Sequence, residues 1–226
     1  MRFRRVFSAI AAAGVLLCAV SAQAVTFNFA SIADVNGEGA IGGVNGVYDN
    51  PVTIAQGFPI NGVSITANST YSAYLDAGNA GLGVCKVVTG NGQCDPSNDD
   101  NLTAGETLTF ALASGGTFDF SMLAFRDANH NLLDDSGELA RTLLVSVNGS
   151  SFEETTFGDE LNTVYAGVTS LSYGYGGSNA DQYYLAAADI SPNTTVSDEV
   201  PEPGTLAVFL MGLLSIGYIR RRRMAA

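Results

Sequence analysis

The chain has 226 residues, of which 10 are Lys or Arg and 22 are Asp or Glu, giving a formal net charge of −12, and it contains no tryptophan. Such an acidic chain is repelled by nucleic acid and anionic lipid, so a nucleic-acid partner is excluded. The single histidine, His130, excludes histidine-rich zinc ligation.

Residues 1–24 read as a signal peptide. Arg2, Arg4 and Arg5 precede an apolar run over residues 6–20, and Ala22, Gln23 and Ala24 supply the small residues of a signal-peptidase site. Cleavage is predicted between Ala24 and Val25, and Cys18 leaves with the peptide. Between this segment and the tail, only Lys86, Arg126 and Arg141 are basic, so the body is more acidic than the whole-chain charge suggests.

The body has roughly 175 residues, enough for one domain with a proper core. Strand signals dominate it. Residues 26–30 alternate Phe27 and Phe29 with polar neighbours. Residues 31–50 are rich in Gly, Asn and Asp and read as a long loop with an edge ribbon. Further strands are predicted over 62–67, 71–75, 106–112, 118–125, 139–147, 163–175 and 183–190. Convincing helical periodicity is absent, and turn residues recur at short intervals. Eight to ten short strands predict an all-β fold, a β-sandwich of jelly-roll type over residues 25–190, followed by an extended linker over 191–200.

Cys85 and Cys94 have eight residues between them, Gly90, Asn91 and Gly92 included. In an oxidising envelope this spacing predicts a disulfide across a hairpin or loop. The loop from Asp127 places oxygen-bearing side chains at Asp127, Asn129, Asn131, Asp135 and Glu138, which is the 1, 3, 5, 9, 12 spacing of an EF-hand calcium loop. Its departures are Leu132 where the sharp turn needs glycine, and flanks that read as strands. Bound Ca2+ and a solvated hairpin tip are the two readings of this loop. Asp95, Asp99 and Asp100 form a second acidic cluster.

No catalytic residue is assigned, and no enzyme activity is expected. No Gly-x-Ser-x-Gly occurs to build a triad around His130. Paired carboxylates for glycoside hydrolysis need only two acids about 5–9.5 Å apart, and sequence cannot single out a pair. Tyr173, Tyr175, Tyr183 and Tyr184 are candidates for an exposed aromatic platform that would bind sugar.

The tail reads Val200, Pro201, Glu202, Pro203, Gly204, then an uncharged apolar run over 205–219, then Arg220 to Arg223. As a helix at ~1.5 Å per residue the run spans roughly 22 Å, short of a ~30 Å hydrocarbon core, so the flanking arginines must snorkel. The arginines place the tail in the cytoplasm and the body outside. This tripartite pattern over 201–226 resembles the PEP-CTERM sorting signal of Gram-negative bacteria, with Pro201, Glu202 and Pro203 at the motif's own three positions. The resemblance implies a transmembrane sorting helix held in the inner membrane during sorting. It also implies recognition by an exosortase, a membrane-embedded cysteine protease that releases or re-anchors the protein at the surface.

Several pieces of the body also resemble a loosely defined group of PEP-CTERM ectodomains. They are residues 80–85, Asp99-Asp100-Asn101 leading into residues 105–108, Phe125-Arg126-Asp127, and residues 181–185. That resemblance implies a β-sandwich and is silent on activity. The expected protein is therefore a secreted, sorted cell-surface or biofilm-matrix protein with a structural, adhesive or ligand-binding sandwich. Its expected partners are signal peptidase, exosortase and extracellular polysaccharide. The alternative is a carbohydrate-binding or carbohydrate-hydrolysing surface protein.

Overall fold

The computed structural model describes residues 24–53, 56–57, 62–68 and 70–193. The signal segment before Ala24 and the whole sorting tail lie outside the described residues.

Among the described residues, twelve strands form two antiparallel sheets packed face to face, with three short helices between them in the chain. In the large sheet the order is β10 (Val164–Val168), β7 (Thr117–Asp127), β12 (Tyr183–Asn193), β5 (Gly81–Cys85), β4 (Ser72–Asp76) and β2 (Gly39–Ile41). β1 (Val25–Asn28) also pairs with β12, from Val25 opposite Ile190 to Asn28 opposite Ala187. The smaller sheet runs β3 (Val63–Ala67), β6 (Thr107–Leu112), β11 (Ser170–Gly174), β8 (Thr142–Val147) and β9 (Glu153–Thr156).

Alternation explains most of this. Along β6, Leu108 and Phe110 are buried while Thr107 and Thr109 are less so, the period-2 pattern of a sheet with one face on the core. β7 buries Phe118, Phe120 and Met122, then shifts parity to bury Phe125. The pairing of β7 with β12 slips between Leu185 and Ala188, which leaves Leu123 and Ala186 as extra residues on their strands. This bulge keeps both halves of two eleven-residue strands facing the core.

The core is aromatic. Phe110 and Tyr173 of the small sheet meet Phe120 and Phe125 of the large one at centroid separations of 5.2 to 6.3 Å, and Phe157 packs at 5.1 Å on Tyr183. Phe157 opens α3 (Phe157–Glu160), whose Glu160 is wholly buried. That carboxyl accepts from the hydroxyls of Tyr173 (2.5 Å) and Tyr165 (2.8 Å), so its oxygens are satisfied although burial pushes its pKa up.

Several expectations change. Residues 31–36 are helical, not loop: α1 (Phe29–Asn36) is capped by Asn28, whose side chain accepts from Ser31 N, and Phe29, Ala30, Ile32 and Ala33 are buried. The expected strand over 163–175 is two strands, β10 and β11, in different sheets. β5 and β9 carry no readable alternation, β5 because it is buried on both faces and β9 because it is an acidic edge. Leu139, expected to start a strand, ends the short helix α2 (Ser136–Leu139).

The expected disulfide is present. Cys85 closes β5 and bonds to Cys94, with Cα atoms 5.7 Å apart. Closing a loop of about ten residues stabilises by about 2.5–3 kcal/mol on the chain-entropy account. Replacing both cysteines by serine, or reducing the native protein, should therefore lower the thermal midpoint by on the order of 5–10 °C, measured by circular dichroism with and without reductant.

Candidate functional site

A cavity of about 400 Å3 lies over the outer face of the large sheet, lined among others by Tyr74, Asp76, Asp100, Asn101, His130 and Tyr184. Inward positions of β4 and β5, such as Leu75, Leu82 and Val84, join the main core. The outward positions Tyr74 and Cys85 instead form a second buried cluster with Ala40 and Cys94. What buries them is the segment from Lys86 to Asn101, which the disulfide folds back across the sheet.

Gly83 makes that covering possible. It stands opposite Tyr74 in the β4–β5 register, and a Cβ there would sit 1.9 Å from the carbonyl oxygen of Asp100. Without a side chain, the Asp100–Asn101 backbone lies flat on β5. The next residue, Leu102, bridges to β12, its N–H donating to Tyr183 O at 2.8 Å.

Two buried carboxyls meet here. The Tyr184 hydroxyl donates to Asp100 Oδ1 at 2.5 Å and lies within reach of Asp76. His130 Nε2 is 3.2 Å from Asp76 Oδ2, and its Nδ1 meets the Gly78 carbonyl at 3.0 Å. A carbonyl only accepts, so Nδ1 carries a proton, and the contact between Nε2 and Asp76 Oδ2 needs one proton between them. Burial, then the neighbouring Asp100, push the Asp76 pKa up to about 7; burial also raises Asp100 and Tyr184. Tyr74 is pushed up to about 12, again chiefly by burial, and its hydroxyl accepts from Cys94 N at 3.3 Å.

The supports are as specific as the site. Gly78 and Asn79 stand in the middle of the four-residue turn that joins β4 to β5, both with positive φ (69° and 64°), a conformation that glycine and asparagine tolerate. Asp34 of α1 fixes that turn by accepting from Gly78 N (2.7 Å) and Asn79 N (3.3 Å). Arg126 holds the histidine loop, Nη1 donating to His130 O at 2.6 Å.

The five oxygen-bearing residues of the EF-hand-like spacing are not gathered. Asp127 Oδ1 accepts from Asn129 N and Asn131 N, both at 2.8 Å, and Oδ2 accepts from the Asn131 amide at 3.1 Å. Leu132 bridges back to Arg126 and closes the hairpin, so Asp135 falls at the N-cap of α2 and Glu138 within it. Among the described residues no group of three His, Cys, Asp or Glu side chains could hold a metal ion. The tyrosine platform is not built either: Tyr173, Tyr183 and Tyr184 are buried and Tyr175 is half-buried.

In the sequence, Asp100 stands out only as a member of the second acidic cluster, His130 only as the single histidine, and Asp76 not at all. The readable signal was Asp76 ending an apolar strand opposite the glycines of 81–83, an acid on the strand face that those glycines leave open.

Comparison with known proteins bears on the tail. Residues 199–223 match the family model of the PEP-CTERM protein-sorting motif. The chain carries a PEP-CTERM sorting motif. Val200, Pro201, Glu202 and Pro203 fall inside that match, which implies an exosortase as processing partner and export to the cell surface. No curated protein and no solved structure matches the chain significantly. Among the described residues no helix is long and apolar enough to cross a membrane, and the motif lies outside them.

The raised carboxyls dictate a pH dependence. A carboxyl whose folded pKa lies above its unfolded value favours the fold fully below the unfolded pKa, and that contribution is lost as pH rises through the folded one. For Asp76 the window runs from 3.8 to about 7. Asp76→Asn should melt higher than the native protein at pH 8, and the difference should shrink towards pH 4, as read from thermal melts across that range.

Proposed function

We propose that the protein is an exported, exosortase-processed surface protein whose sandwich works by structure, adhesion or ligand binding rather than by catalysis. The match at residues 199–223 carries this reading. Signal peptidase cuts between Ala24 and Val25, the apolar run holds the chain in the inner membrane as a transient anchor, and exosortase acts near Val200-Pro201-Glu202-Pro203. Support for the first cut comes from β1, whose pairing with β12 begins at Val25 itself. The body crosses between sheets repeatedly, in keeping with a jelly-roll-like sandwich, and its disulfide suits an oxidising compartment outside the cytoplasm. Mass spectrometry of the surface-exposed form should find an N-terminus at Val25 and a C-terminus near the motif. An intact C-terminus at Ala226 would make the segment a permanent anchor and overturn the sorting reading.

One observation favours a second reading, that the sandwich binds or hydrolyses a small polar or carbohydrate ligand of the extracellular matrix: two buried carboxyls, Asp76 and Asp100, face one cavity. A glycan panel paired with a broad glycosidase screen separates the alternatives. Binding without turnover is expected; turnover that disappears in Asp76→Asn or Asp100→Asn would make the protein a hydrolase.

A further inference from the structure

We propose that the cavity over the large sheet binds the primary ammonium group of a small polar organic ligand, seated between the carboxylates of Asp76 and Asp100 and the side-chain oxygen of Asn101. The inference rests on the ligand-binding reading above and adds a chemical class to it.

An acidic cluster alone would not carry this; Asn101 does. It is only 3% exposed and lines the cavity, and its Oδ1 has no hydrogen-bond partner. Its amide nitrogen faces Gln182 Oε1 at 3.4 Å. A buried acceptor left unpaired carries a desolvation penalty that the fold itself does not offset.

The surroundings are short of donors in the same direction. The one proton of the Tyr184 hydroxyl goes to Asp100, and His130 Nε2 serves Asp76. No donor among the described residues reaches Asn101 Oδ1, and both carboxyls keep further acceptor capacity.

They are also short of positive charge. Lys86 is held by Asp99 (2.7 Å) and Glu106 (2.6 Å), Arg126 donates to the His130 carbonyl, and Arg141 pairs with Asp181. None of these three lines the cavity, whereas Glu38, Asp76 and Asp100 do. An ammonium brings three N–H donors and a unit charge to one point, which suits a cavity lined by two carboxyls and an unpartnered amide oxygen. A neutral sugar hydroxyl would bring a donor without the charge. A bare metal ion is disfavoured because no group of three His, Cys, Asp or Glu side chains among the described residues could hold one. The volume of about 400 Å3 leaves room for a polar body behind the ammonium, such as a sugar ring or a short carbon chain.

Protons should compete with this ligand. The groups facing the ammonium position are Glu38 ahead of β2, Tyr74 and Asp76 on β4, Asp100 on the disulfide-closed segment, His130 on the loop after β7, and Tyr184 on β12. A proton added to any of the carboxyls removes negative charge, so amine binding weakens as pH falls.

The test is calorimetric titration of the full chain in detergent at pH 7 with glucosamine, putrescine, glucose and N-acetylglucosamine. At least one amine should bind, with both neutral sugars weaker by about tenfold or more. Binding by glucosamine alone assigns the ammonium to an amino sugar, and binding by putrescine assigns it to a linear amine. Asp76→Asn, Asp100→Asn and Asn101→Ala should each weaken amine binding by about tenfold or more while keeping a cooperative thermal transition. Native affinity at pH 5 should fall by a similar factor, a readout that depends on no variant. Neutral sugars binding as well as the amines, or amine affinity unchanged at pH 5, would overturn the ammonium assignment and leave the ligand-binding reading standing. No binding by any of the four would remove both.

Discussion

The candidate site depends on one close approach, the backbone of Asp100 resting on Gly83. A sheet with helices or a second sheet on only one face leaves its outer side to solvent, and polar residues normally occupy it. Here Tyr74, Asp76, Cys85 and Tyr184 occupy that side and are buried, because a loop lies across them. The loop could not lie so low over any residue with a Cβ, and the Cys85–Cys94 bond keeps it from lifting away. A second hydrophobic cluster and a polar cavity therefore exist outside the sandwich core, on a surface that an ordinary β-sandwich would leave wet.

Having made a sheltered acidic site, the fold does little to neutralise it. Glu160, the most buried carboxyl, is answered by two tyrosine hydroxyls and packs as a structural group. Asp76 and Asp100 share one tyrosine proton and one imidazole, while the body's three cations are spent elsewhere. Lys86 lies close by in sequence to the site yet is turned to Asp99 and Glu106, which hold its ammonium firmly protonated. Burying uncompensated charge destabilises a protein, and such an arrangement persists where it serves a site. The two carboxyl environments in this molecule thus differ in kind: one is closed and satisfied, the other open and deficient.

How much of this was legible depended on period and separation. Strands with one wet face, such as β6 and the first half of β7, announced themselves by alternation. β5 did not, since Gly81 and Gly83 alternate with Leu82 and Val84 and every position is buried. Helix α1 escaped notice because its eight residues include four that fit a strand as well, and the Asn28 cap is a single side chain in an Asn-rich stretch. The disulfide followed from spacing and compartment, and the sorting tail from a pattern local in sequence. The cavity was illegible for the opposite reason: Asp76, Asp100, His130 and Tyr184 come from four separated segments, and only the pairing of β4, β5 and β12 brings them together. The EF-hand-like spacing failed for a local cause, the bridge from Leu132 to Arg126, which ends the hairpin before the ninth position is reached.

The address and the cavity are joined by β12. Tyr184 lies near its start, inside the site, and Asn193 ends it six residues before the sorting match begins. Nine residues of extended chain separate the two by roughly 30 Å. β1 runs antiparallel to β12, with Val25 opposite Ile190, so the expected signal-peptidase cut falls at the same end of the sheet from which the sorting tail departs. The turn at Gly78 and the loop at His130, which frame the cavity, belong to the other end.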